Sequence, residues 1–376
     1  MKNFIFGIVM VLFVIAACFG LGEMTVYLLF QKEVPCFPRF VTGVDYNGWK
    51  IRMNEPNAEY QHKSYDGKWQ FKVNNQGYRS EKEYEYEKPA DVFRVMTIGD
   101  SYTMGYEVAQ EETYASVIED ALNQKGLKTE VINAGVSGYS NAEQLVYFEQ
   151  EGLKFAPDVL ILGFYLNDFN DNLRADLFKL GNGELVISKK KYQPAIEERD
   201  FLNSFGLYRW LSQHSYLHNF LNYRATAFFK KRTLLQKKAA ENVAIDAGTG
   251  QASNDQKELA YAILKRIYEV AAANETHFIV LDITKPSLEG SSLGVDAHSM
   301  GLCGFYYNSL VDLQPLNDRE DIHRPHGARH WSEVAHRVSG EKLAEYIFEN
   351  HLIWNGESDV IDSLLVENPE AHVEHH

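Results

Sequence analysis

Only three cysteines occur in the 376 residues, Cys18, Cys36 and Cys303, too few for a disulfide framework. Cys18 falls inside the leading apolar segment, which leaves one possible bridge, Cys36 to Cys303, or two unpaired thiols. No CxxC or Cys/His spacing suggests structural zinc. Positive charge is also scarce: 37 Lys and Arg stand against 52 Asp and Glu, a formal net charge of −15. That balance argues against a general nucleic-acid binder, and no nucleic-acid partner is expected. Internal repeats are missing, which speaks against a solenoid. Apolar and charged fractions are those of an ordinary globular protein, so disorder is not the default. The length suits one large domain with additions or two modest ones.

Long apolar runs bunch at the N-terminus. Residues 4–21 are almost uncharged, and apolar character resumes over 24–30 after Glu23. This is enough to span a bilayer, which takes roughly 20 helical residues. Three readings compete: an uncleaved membrane anchor over 1–31, a cleaved signal segment, and a lipoprotein in which Ile15-Ala16-Ala17-Cys18 is the cleavage box. Length favours the anchor, and the apolar stretch after Cys18 counts against the lipoprotein. Each reading puts the remainder outside the cytoplasm, on the periplasmic or cell-surface side.

Residues 32–90 are rich in aromatics and turn formers. Lys68-Trp69-Gln70-Phe71-Lys72-Val73 alternates with period two before Asn74-Asn75-Gln76-Gly77, which predicts a strand closed by a turn. A small β-rich collar and linker is expected here. The pattern then changes. Residues 92–98 and 129–132 read as strands, and 158–163 is a continuous apolar run suited to a strand buried on both faces. Tyr114, Val117, Ile118, Ala121 and Leu122 mark one face of a helix that Gly126 ends. Asn141 with Gln144 predicts the cap of a second helix. A further helix carries Leu259, Ile263, Ile267 and Val270, a strand spans 277–281, and a last helix spans 332–349. Strands alternating with helices imply βαβ units and a doubly wound α/β sheet over 91–350. An insert at about 172–250 interrupts it and ends in a basic cluster, Arg224, Lys230, Lys231, Arg232, Lys237 and Lys238. It reads as a helix pair with a solvated basic face, a cap over the site, or a surface for an anionic polymer or lipid. Residues 351–376 form an acidic tail with no assigned role.

The chemistry gathers where the strands end. The first strand stops in Gly99-Asp100-Ser101, which puts a small hydroxyl at the carboxyl end of a strand, where open α/β sheets bind ligands. Ser101 sits on a strand-to-helix turn whose N–H groups are free to face a developing negative charge. A serine nucleophile needs a base and oxyanion donors. The second strand is followed by Asn133-Ala134-Gly135-Val136-Ser137-Gly138, and the third by Gly163-Phe164-Tyr165-Leu166-Asn167-Asp168. Gly138 lets the backbone approach a ligand, and Asn167 brings an amide donor. His330-Trp331-Ser332 lies just before the last helix and can reach back over the sheet. Gly290-Ser291-Ser292-Leu293-Gly294 matches the nucleophile elbow of α/β-hydrolases but lacks the strand and helix an elbow needs.

This order of residues resembles the SGNH, or GDSL, hydrolase superfamily, with Gly99-Asp100-Ser101, Gly138, Asn167 and His330 matching its four blocks. The resemblance implies a three-layer sandwich around a central parallel, flavodoxin-like sheet. It also implies Ser101 as nucleophile, His330 as general base, and the Ser101 N–H, Gly138 N–H and Asn167 side chain as oxyanion hole, with neither cofactor nor metal. One departure stands out. The family places an Asp two or three residues before its histidine, and here those positions hold Ala328 and Gly327. Either Asp321 supplies the acid from further upstream, or the base is His323 with Asp321 two residues before it, or a Ser-His dyad works alone. The expectation is a membrane-anchored serine esterase acting on acetyl or other short acyl groups of a cell-envelope carbohydrate, with an acyltransferase using the same residues. The rival is a catalytically impaired polysaccharide-binding or scaffold protein.

Overall fold

The structure, a computed structural model, describes residues 2–192, 196–241, 252–284, 293, 305–317, 321–350 and 352. Cys303, Ser292 and the tail from 353 lie outside them. Helix α1 (Lys2–Phe30) opens the chain with most of its apolar side chains exposed. Its Asn3–Phe30 stretch, whose most apolar 18-residue window has a mean hydropathy of 2.9, is long and apolar enough to cross a membrane, as an anchor or a signal sequence would be. Two antiparallel hairpins follow, β1 (Val41–Tyr46) with β2 (Trp49–Asn54) and β3 (Glu59–Lys63) with β4 (Lys68–Lys72).

The α/β unit begins with β5 (Phe93–Gly99) and the single turn α2 (Ser101–Met104). It continues through α3 (Tyr114–Gln124), β6 (Thr129–Asn133), α4 (Asn141–Gln150), β7 (Val159–Phe164) and α5 (Asp168–Ala175). Hairpin β8 (Phe178–Gly181)/β9 (Glu184–Ile187) and helices α6 (Ile196–Asn203), α7 (Gly206–His214) and α8 (Tyr216–Glu241) intervene. Helix α9 (Asn254–Ala273), β10 (His277–Asp282), β11 (Phe305–Asn308), α10 (Leu310–Leu313) and α11 (Glu333–Glu349) complete the fold.

The central sheet has the order β6-β5-β7-β10-β11 with every pair parallel. Taken in chain order this is 2-1-3-4-5, the flavodoxin-like doubly wound arrangement. Period-two alternation divides the strands between two faces. Leu160 and Leu162 of β7 share a core with Leu145 and Phe148 of α4 and Ile263 and Ile267 of α9. Val159 and Ile161 face the other way, toward Ile118 of α3 and Leu343 and Ile347 of α11. Both faces are covered, which is why these strands read as unbroken apolar runs. The α4 cap falls one residue earlier than its sequence suggests: Ser140 and Glu143 form the capping box, while Asn141 and Gln144 bond to each other at 3.3 Å.

The buried side chains of residues 32–90 are continuous with the core of the α/β unit. Trp49, Ile51, Met53, Tyr78 and Tyr84 are buried in the same cluster as β5, β7 and α4, and Phe71 shares a smaller cluster with Met104 and Tyr106. The insert meets α1. Tyr27 packs edge-on against Tyr216 at 5.3 Å and Phe30 against Phe220 at 5.1 Å. Glu23 accepts from the N–H groups of Tyr216 (2.7 Å) and Leu217 (3.0 Å) and from Ser215 Oγ (2.7 Å), a carboxylate set at the positive end of α8.

Candidate active site

Ser101 begins α2 directly after β5. Asp100 caps this turn by accepting from the Tyr102 N–H at 2.9 Å. The Ser101 hydroxyl lies 2.8 Å from His330 Nε2, although 229 residues separate the two. The ring of His330 sits between Tyr102 and Tyr106, with centroids 4.8 and 5.1 Å away. Its other nitrogen, Nδ1, is 3.3 Å from Glu107 Oε2, and the same oxygen accepts from the His330 backbone N–H at 3.0 Å.

The carboxylate that meets His330 is therefore Glu107 and not Asp321. The Asp321 side chain is exposed, and its link to this region is a carbonyl that accepts from Ser332 Oγ. Glu107 returns to the serine because Gly105 ends α2 in the left-handed region, φ 77°. A Cβ there would also lie 2.5 Å from Thr113 Cγ2, so glycine is required twice over. The turn is clamped from the N-terminal segment. Arg79 donates to the carbonyls of Met104, Gly105 and Val108 while its guanidinium lies 3.8 Å above the Phe71 ring. Arg324 holds the Glu107 carbonyl with Nε at 3.2 Å and Nη2 at 2.9 Å. Nothing in the sequence near His330 points to Glu107, six residues after the serine.

The loop after β6 lies against α2. Asn133 Nδ2 donates to the Thr103 carbonyl at 2.9 Å, and a Cβ on Gly135 would fall 2.4 Å from the Met104 nitrogen. Asn54 straps the loop by donating to the Gly135 carbonyl at 3.0 Å. Gly138 is left-handed, φ 70°, and Arg52 donates to its carbonyl while pairing with Glu143. The N–H groups of Ser101 and Gly138 have no acceptor among the described residues. Asn167 is brought to the site, but its amide nitrogen is engaged, at 3.1 Å from Asp100 and 3.2 Å from Asp171. Burial raises the Asp100 carboxyl above its ordinary range, opposed by the Tyr102 N–H and by His330. Burial and then the neighbouring Asp100 raise Asp168 further; Asp168 also accepts from the Tyr165 N–H at 2.9 Å, which steadies the turn carrying Asn167.

The other histidines of this region are tied elsewhere. His323 Nε2 donates to the Thr284 carbonyl at 3.3 Å, and the ring nitrogen that meets Ser101 is that of His330. His326 pairs with Asp66 at 2.7 Å, and His336 Nδ1 accepts from the Tyr114 N–H at 3.2 Å. Burial pushes His323 down to about 4 and His336 to about 3, from an ordinary 6.5. Unfolded chains take up these protons below 6.5 and the folded protein does not. Stability is thus full above pH 6.5 and lost as pH falls toward 4, at about 1.4 kcal/mol per pH unit for each histidine. Thermal midpoints measured from pH 7.5 to 4.5 will be flat and then fall. A midpoint that holds steady below pH 6 contradicts the buried neutral state of these rings.

A parallel sheet whose first strand delivers a serine to a histidine backed by a carboxylate has the parts of a serine hydrolase. The chain belongs to the GDSL-like lipase/acylhydrolase family, whose model matches residues 97–286, half of its length. A curated arylesterase from Vibrio mimicus is 29% identical over 75 residues, 20% of this chain. The matched part spans 38% of that relative's length. Among solved structures, a G-D-S-L family lipolytic protein from Desulfitobacterium hafniense DCB-2 aligns at 13% identity and TM-score 0.37, covering 67% of this chain and 98% of that one. A variant of an acetyl xylan esterase from Geobacillus stearothermophilus aligns at 12% identity and TM-score 0.38, covering 68% and 94%.

Proposed function

We propose that this protein is a serine ester hydrolase. Ser101 Oγ attacks the acyl carbon and passes its proton to His330 Nε2. Glu107 holds the ring and stabilises the imidazolium that forms. The tetrahedral oxyanion faces the Ser101 and Gly138 N–H groups, and Asn167 joins them by turning one amide hydrogen away from Asp100 or Asp171. His330 then gives the proton to the leaving alcohol, and water repeats the sequence on the acyl-enzyme. The observation that carries this reading is the Ser101–His330 contact of 2.8 Å with Glu107 on the far nitrogen. The Glu107 carboxylate beside His330 Nδ1 favours this reading over a binding-only scaffold. The test is acetate release from 4-nitrophenyl acetate together with labelling by a fluorophosphonate. Absence of both, where a control esterase shows both, ends the hydrolase reading.

The substrate on this reading is a short acyl ester, acetyl first, on a cell-envelope carbohydrate, reached from outside the cytoplasm by an enzyme anchored through α1. Retention of α1 is supported by Glu23, which caps α8, and by Val26, which is buried. Exposed Phe205, Leu207, Trp210 and Phe228 on the insert suit a membrane interface beside α1. Glu23→Ala should therefore cost about 1 kcal/mol, the usual worth of a helix cap. Thermal unfolding of the full chain in detergent reads it, and an unchanged midpoint would mean that α1 does not brace the insert.

A further inference from the structure

Beside the Gly138 loop lies a cavity of about 200 Å³ roofed by α6 and α8. Five cationic side chains line it, Arg39, Arg52, Arg174, Arg199 and Lys230, in a chain whose net charge is −15. Two are answered by acids: Arg52 pairs with buried Glu143 and Arg174 with Asp171. The side chains of Arg39, Arg199 and Lys230 make no hydrogen bond or ion pair among the described residues, although the charge of Lys230 acts on Asp100. Lys230 and Arg39 keep exposed surface and Arg199 is half-buried, yet desolvation where the ammonium meets the cavity, followed by Arg174, Arg39, Arg52 and Arg199, pushes Lys230 well below its ordinary range. Gathering like charges costs folding energy, and clusters of that kind mark sites where an anion completes the balance. Apolar surface from Val41, Ile196 and Phe229 completes the walls. Ser137 and Gly138 line the same cavity, and Arg52 holds both of their carbonyls. The anion site and the candidate oxyanion donor are thus two sides of one loop.

We propose that this cavity binds a carboxylate or phosphate carried by the substrate, so that the ester presented to Ser101 belongs to an acidic saccharide rather than a neutral one. The bond cut rests on the hydrolase reading, whereas the anion site stands on binding alone. It also gives the insert a task. Lys230, an exposed member of the basic row, also reaches the roof of this cavity, while Lys237, further along α8, pairs with Asp176 at 2.6 Å.

Binding should be measured by calorimetry on full-length Ser101→Ala protein in detergent, so that no ester is consumed. An O-acetylated oligogalacturonide is expected to bind at least about tenfold tighter than an O-acetylated xylo-oligosaccharide, with the gap narrowing in high salt. Adding Arg199→Gln and Lys230→Gln should abolish the gap. The same pair should leave the thermal midpoint unchanged or raised, because it relieves repulsion; loss of folding is what a purely structural role would give. Should the double variant not fold, Arg199→Gln alone must still narrow the gap. Glucuronate and glucose 6-phosphate, added as competitors, tell carboxylate from phosphate. Equal affinity for acidic and neutral oligosaccharides, or a gap that survives both substitutions, overturns the proposal. Turnover of 4-nitrophenyl acetate by the unaltered protein, run alongside, reports on the hydrolase reading separately.

Discussion

Ser101→Ala will remove hydrolysis of 4-nitrophenyl acetate, lowering kcat/KM by about 10⁴- to 10⁶-fold, and will erase fluorophosphonate labelling. The expectation is this large because no other described hydroxyl shares the geometry. Ser101 alone combines the end of a central strand, a histidine nitrogen at 2.8 Å and its own uncommitted N–H beside that of Gly138. The variant should fold normally, since Asp100 and not Ser101 caps α2 and the hydroxyl has no other partner. Unchanged circular dichroism beside lost turnover would place the effect in the chemistry. Ester turnover that persists in the purified variant, with labelling at another serine, would move the nucleophile elsewhere.

Much of this arrangement is legible in the sequence because it depends on local rules. Strands buried on both faces leave unbroken apolar runs such as Val159-Leu160-Ile161-Leu162, and amphipathic spacing marks α3 and α9. Ser101 and Gly138 stand out because each follows such a run at once. Glu107 does not stand out, since a carboxylate that steadies an imidazole needs nearness in space only. What brings it there is a left-handed turn at Gly105 and two arginines from distant parts of the chain. Closeness along the chain points to Asp321, but its side chain is exposed. Arg52 and Arg79 were hidden for a related reason: residues 32–90 read as an aromatic, turn-rich spacer, and only the packed structure shows them reaching the Gly138 loop and the Glu107 turn. Lys230 is exposed, as its basic row suggests, but its place beside Gly138 in one cavity leaves no periodic trace.

Glu107→Gln should lower kcat by about 10³- to 10⁴-fold with little change in KM, whereas Asp321→Asn should stay within about twofold of the parent. The amide keeps the size of the carboxylate and can still accept from the His330 N–H, so the loop should hold its shape. What it loses is the negative charge beside Nδ1, and with it the stabilisation of the imidazolium formed when Ser101 gives up its proton. Glu107 acts through His330 and touches no reacting atom, so the KM-against-kcat split is the informative reading. Damage to the loop would instead raise KM and lower the thermal midpoint, since Arg79 and Arg324 fasten the same turn. Glu107→Asp should recover part of the lost rate, because the charge returns at a slightly greater reach. If Glu107→Gln turns over at the parent rate while Asp321→Asn fails, the acid is Asp321 after all. If neither variant matters, Ser101 and His330 work as a dyad.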